Sequence, residues 1–89
     1  MAAQQVTMYT TGWCPYCARA RALLERKGID WTEIDLEAEP ERRAEMIKRT
    51  GARTVPQIFI GDRYVGGSDE LYELDQSGEL DALLGMRAV

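Results

Sequence analysis

The chain has 89 residues, 45% of them hydrophobic and 29% charged, with a formal net charge of −4. This well-mixed composition argues against disorder, and net acidity argues against an electrostatic grip on nucleic acid. No apolar run approaches the roughly 20 residues that cross a bilayer, and "MAAQQVTMYT" lacks the basic patch and apolar segment of a secretory signal. The expectation is one domain spanning residues 1–89, in the cytoplasm and away from membranes.

"VTMYT", Val6 to Thr10, is β-branched and aromatic and reads as a strand. A loop through Gly12 leads to Pro15, which suits the first position of a helix that Gly28 terminates. Cys17, Ala20, Leu23 and Leu24 form the apolar face of that helix. "IDWTEIDL", Ile29 to Leu36, reads as a second strand. "EPERRAEMIKRTG" repeats the helix grammar between Pro40 and Gly51, with Ala44, Ile47 and Met46 on its buried side.

"VPQIFI", "GD" and "RYVGG" then read as a strand, a two-residue turn and a strand. Ser68 is placed to cap the next helix, with Asp69 and Glu70 favourable in its first turn. Leu80, Leu83 and Leu84 suggest a last short helix. The order β-α-β-α-β-β-α-α predicts an α/β fold, a four-stranded mixed sheet with helices on both faces.

The two cysteines, Cys14 and Cys17, are separated only by Pro15 and Tyr16. A disulfide between such neighbours closes a tiny loop and is a poor staple, and a reducing compartment disfavours it further. Structural zinc needs four ligands, and the chain has two cysteines and no histidine. A zinc site would therefore need a second chain or carboxylates, an iron–sulfur cluster would need two chains and outside thiols, and no bound metal is expected. Two buried, inert cysteines would account for Cys17. They would not account for Cys14 at a loop–helix junction.

With Cys14 at the helix N-cap and Pro15 at the first position, Cys17 falls one turn inside on the same side. Unsatisfied N–H groups and partial positive charge at a helix start favour thiolate over thiol at Cys14, making it the nucleophile. Cys17 lies on the core-facing stripe and suits a resolving role. A C-x-x-C pair beside a β-α-β pattern is a redox signature.

"CPYC" after a "YT" strand, "TVPQIFI" and "GGSDEL" together resemble the dithiol glutaredoxins, from Val6 to about Leu84. The resemblance implies a thioredoxin fold and glutathione-dependent reduction of protein disulfides and glutathione mixed disulfides, with no bound cofactor. It implies a cis peptide bond before Pro56, with Val55 and Thr54 offering backbone to glutathione. Gly67, Ser68 and Asp69 match the site for the γ-glutamyl end. Tyr16 matches a groove residue beside the nucleophile.

Thr11 stands where relatives often carry a lysine that meets the glycine carboxylate, so that charge must come from elsewhere. Arg53 and Arg43 match positions that bear carboxylate partners in relatives, and an arginine fork suits a carboxylate. The expected partners are glutathione and oxidised or glutathionylated proteins, with the chain a monomer. The rival readings are a redoxin recharged by thioredoxin reductase or mycothiol, and a dimeric iron–sulfur cluster carrier.

Overall fold

Strand β1 (Val6–Thr10) is the hub of the structure, a computed structural model that describes residues 5–85. It pairs in parallel with β2 (Trp31–Asp35), Val6 opposite Trp31 and Thr10 opposite Asp35. A parallel pair needs a crossover, and α1 (Pro15–Arg26) supplies it. On its other edge β1 pairs antiparallel with β3 (Gln57–Ile60), which turns through Gly61 and Asp62 into β4 (Arg63–Gly66). The sheet order is β2-β1-β3-β4, the mixed four-stranded arrangement that the sequence predicts.

Alternation along β1 divides the core. Val6 and Met8 point into one layer with Ala20, Leu23 and Leu24 of α1, joined by α3 (Ser68–Ser77) through Leu71 and by α4 (Glu79–Leu83) through Leu80. Tyr9 points into the other layer with Ile34, Phe59 and Met46, the last from α2 (Arg42–Thr50). Truncating any one of the fully buried leucines to alanine would cost roughly 2–5 kcal/mol. The buried Tyr9 hydroxyl is satisfied, donating to Glu45 and accepting from Arg49 Nη1 at 2.9 Å. Arg49 also lies 3.9 Å over the Phe59 ring, so α2 is held by polar pins as well as by Met46.

Several boundaries differ from expectation. β2 starts at Trp31 and ends at Asp35, shorter at each end than the apolar run from Ile29 to Leu36. α2 starts at Arg42, two residues beyond Pro40; Met46 is buried and Ile47 half-buried, while Ala44, about half a turn round the helix from Met46, is exposed. Ser68 does not cap α3. Gly67 is the N-cap residue, and Ser68 is the first helical residue and buried. With no side chain at the cap, Glu70 Oε1 reaches back to accept from the Gly67 N–H at 2.7 Å.

The register of β1 with β3 sets up the site. Tyr9 lies opposite Gln57, so the segment before Gln57 runs beside the loop that leaves the end of β1. That segment contains the cis peptide bond Val55–Pro56, as the resemblance implies.

Candidate active site

Cys14 occupies the N-cap of α1 in an extended conformation, φ −156° and ψ 110°. Pro15 opens the helix, where its missing N–H costs nothing, and Cys17 falls at the third position. The Cys17 N–H donates to Cys14 Sγ at 3.3 Å. Cys14 Sγ also lies 3.7 Å from the Val55 carbonyl oxygen. Residues 41 apart in sequence are thus joined by the β1–β3 register.

Cys14 is half-buried and Cys17 fully buried, both as free thiols. Burial pushes the Cys17 thiol up to about 12, the neighbouring Cys14 adds to the rise, and the Thr11 backbone opposes it. The two sulfurs therefore differ in kind. One is accessible and touches helix N–H, and the other is protonated and shielded.

A groove of about 460 Å³ opens beside this pair. Tyr16 forms one wall, Thr54, Val55 and Pro56 the floor, and Gly67, Ser68 and Asp69 the far end. These are the predicted binding residues, apart from Thr11 and Arg53, brought from three separate segments. Thr11 is half-buried in the loop before Cys14 and does not line the groove. Arg53 is exposed outside it, and its carbonyl accepts from Arg43 Nη1 at 2.7 Å. Arg43 thus braces the loop.

Gln57, Tyr64 and Glu70 also line the groove, and the sequence reading did not place them there. Tyr64 is the least legible of them, since its arrival depends on the β3–β4 register, which shifts irregularly between Ile58 and Phe59. The groove's far end is the start of α3, where the Gly67 N–H is taken by Glu70. Asp69 Oδ1 is 3.5 Å from Arg19 Nη1, an exposed and weakly held pair.

On the other side of Cys14, a smaller cavity of about 220 Å³ is bordered by Trp13, Pro15, Ala18 and Arg21. Trp13, 84% exposed, stands at its rim. Arg21 is engaged from behind by Glu33, with Nε and Nη2 at 2.9 and 2.7 Å from the two carboxylate oxygens. Thr10 Oγ1 and Trp31 Nε1 also donate to Glu33, at 3.0 and 3.1 Å. The Arg21 guanidinium foremost, with the other donors, holds the Glu33 carboxyl at about 2.

Residues 6–65 match the family model described as Glutaredoxin. The chain is 56% identical over 79 residues to "Glutaredoxin" of Pseudomonas aeruginosa, covering 89% of this chain and 94% of that protein. It is 52% identical over 79 residues to "Glutaredoxin 3" of Escherichia coli (strain K12), covering 89% and 95%. Among solved structures, a buckwheat glutaredoxin–glutathione complex superposes with a TM-score of 0.86 at 30% identity, covering 92% of this chain and 77% of that one. The solution structure of glutaredoxin from Brucella melitensis does so with a TM-score of 0.82 at 52% identity, covering 100% and 98%. An accessible cysteine at a helix start, a shielded partner one turn on and a thioredoxin fold are the parts of a thiol–disulfide oxidoreductase, and the chain belongs to the glutaredoxin family.

Proposed function

We propose that this chain reduces protein disulfides and glutathione mixed disulfides with glutathione as co-substrate. The observation that carries the reading is the position of Cys14 Sγ, between the Cys17 N–H and the Val55 carbonyl at the edge of the 460 Å³ groove. The groove accommodates a tripeptide with a charged head. The unpaired N–H groups of Ser68 and Asp69 at the start of α3 suit the γ-glutamyl carboxylate, and the Asp69 side chain suits its amine. Val55 backbone suits strand-like pairing with the cysteinyl residue. Tyr16 completes the set at the groove wall, and Arg53, exposed outside the groove next to Thr54, is the cation available where position 11 carries Thr11. The likeness to a glutaredoxin solved with glutathione supports the same reading.

In deglutathionylation the Cys14 thiolate attacks the glutathione sulfur of a mixed disulfide. The old S–S bond breaks, the protein thiolate leaves and takes a proton, and glutathione remains on Cys14. A second glutathione thiolate then attacks that glutathione's sulfur, expelling Cys14 as thiolate and releasing glutathione disulfide. With a protein disulfide, Cys14 forms a mixed disulfide to the protein. Cys17 loses its proton and attacks Cys14 Sγ, the bond from Cys14 to the substrate breaks, and the substrate sulfur leaves as a thiolate that takes a proton. Two glutathiones then reduce the Cys14–Cys17 bridge and leave as glutathione disulfide.

The test is turnover of a glutathionylated peptide with glutathione, glutathione reductase and NADPH. Wild type and Cys17→Ser are expected to turn over, and Cys14→Ser to be inactive. A wild type inactive here but active with mycothiol or with thioredoxin reductase overturns the assignment of glutathione.

A further inference from the structure

The loop that lines the floor of the groove is held by side chains from two different elements. Arg43 of α2 donates to the Arg53 carbonyl at 2.7 Å. Gln57, at the start of β3, donates through Nε2 to the Thr54 carbonyl at 2.9 Å and to Thr54 Oγ1 at 3.2 Å. A backbone carbonyl can only accept, so the amide must present its nitrogen to Thr54 and its oxygen outward. The Gln57 oxygen accepts from the Tyr64 hydroxyl. Tyr64 belongs to β4, lies against Phe59 at a ring distance of 5.3 Å, and lines the same groove.

A peptide unit is planar and trans, so its C=O and N–H point in opposite directions and move as one body. Fixing the Thr54 carbonyl therefore fixes the Val55 N–H, and fixing the Arg53 carbonyl fixes the Thr54 N–H. Gln57 is buried, and its amide stays aligned because Tyr64 holds the far end. From this geometry we infer that Tyr64 is a positioning residue, which orients the Thr54–Val55 peptide plane through Gln57 and so sets recognition of the peptide backbone of the bound thiol. The inference rests on the glutathione reading above. It assigns to Tyr64 no contact with the reacting sulfurs. Its contribution is preorganisation: a plane already aimed loses less freedom when a ligand pairs with it.

The experiment compares second-order rate constants for oxidation of the reduced protein by two disulfides. Glutathione disulfide has amide groups that can pair with Val55, and bis(2-hydroxyethyl) disulfide has none. Tyr64→Phe keeps the ring on Phe59 and removes only the hydroxyl. It is expected to lower the rate with glutathione disulfide about three- to tenfold, the worth of one neutral hydrogen bond. The rate with the hydroxyethyl compound should stay within about twofold.

Gln57→Leu is expected to show the same selective loss, and the double variant no further loss, because both act through one carbonyl. An equal loss with both disulfides, no loss with either, or additive losses in the double variant overturns the relay. If wild type itself shows no preference for glutathione disulfide, the glutathione reading falls and the relay with it. If wild type shows the preference and Tyr64→Phe keeps it, the relay alone falls.

Discussion

The backbone N–H of Cys17 donates to the sulfur of Cys14 at 3.3 Å, while the Cys17 side chain is fully buried. One residue thus holds the accessible sulfur with its amide and keeps its own thiol out of reach. The amide survives any substitution at position 17 except proline, which separates the two roles experimentally.

Selective alkylation follows from that arrangement. Iodoacetamide at pH 8 is expected to add once to the native protein, at Cys14, as read by intact mass and peptide mapping. Cys17 should react only after unfolding. Stability carries the same signature. The Cys17 thiol rises from 9.0 to about 12 on folding, so the unfolded chain releases this proton first as pH increases. The contribution is whole below pH 9 and is lost as pH climbs towards 12. Cys17→Ala should therefore lose less stability than wild type over that window. Two adducts on the native protein at pH 8 would sink the idea of a shielded thiol.

Glu33 titrates with the opposite sign. Its carboxyl is lowered from 4.5 to about 2, first by the Arg21 guanidinium, so its contribution is present above pH 4.5 and lost as pH falls towards 2. The pair is partly exposed, 26% at Arg21 and 32% at Glu33, and solvent screening limits it to about 1 kcal/mol. Glu33→Gln is expected to lower the Tm at pH 7 by a few degrees and to match wild type near pH 2. Thermal unfolding at those two pH values checks this, and an unchanged difference at pH 2 contradicts it. Because Arg21 borders the cavity next to Cys14, losing its anchor should also alter reaction with bulky disulfides more than with small ones.

Gly66 is required by both conformation and space. Its φ of +120° is unfavourable for any residue with a side chain, and an added Cβ would lie 2.8 Å from Glu70 Oε1 and 3.0 Å from its Cγ. Glu70 is the residue that caps α3 through the Gly67 N–H. Gly66→Ala is expected to cost roughly 1–3 kcal/mol in chemical denaturation and to weaken glutathione binding by disturbing the groove's far end. Gly67→Ala makes a useful contrast. Gly67 has an ordinary φ of −94°, and its Cβ would meet Glu70 Oε1 at 3.3 Å, so the smaller loss falls there. Equal stability of the two variants would count against this account.

Much of the fold was legible because local signals agreed with the global arrangement. β1 spans Val6 to Thr10 as the sequence predicts, and α1 starts at Pro15, so the cysteine pair lands at the N-cap and third position as expected. The cis bond at Pro56 and the wall around Gly67, Ser68 and Asp69 came through the resemblance. What escaped depends on geometry that periodicity does not encode. Ala44 sits on the outer face because it lies two residues from buried Met46, about half a turn away round the helix. Ser68 has the chemistry of a cap, but the backbone turns one residue earlier and Glu70 takes the role. Arg43 is a good carboxylate partner by composition, and the carbonyl it holds belongs to Arg53 on a distant segment. Tyr64 reaches the groove across an irregular strand pairing that no local pattern announces.

Asp69 gives the sharpest measure of the charged end of the groove. Its carboxylate is 72% exposed and pairs with Arg19 at 3.5 Å, a contact that an incoming amine can displace at little cost. An exposed ion pair of this kind is worth up to about 1 kcal/mol, a factor of two to five in KM. Asp69→Asn keeps the volume and the helix start while removing the charge. It is expected to raise the KM for a peptide carrying glutathione by that factor, with kcat unchanged. For the same peptide carrying cysteinylglycine, which has no γ-glutamyl amine, no change is expected. The difference between the two substrates should shrink as ionic strength rises from 0.01 M to 1 M, because the Debye length falls from about 30 to about 3 Å. A KM that rises equally for both substrates would mean that Asp69 acts by supporting α3, and the γ-glutamyl end would then need another anchor.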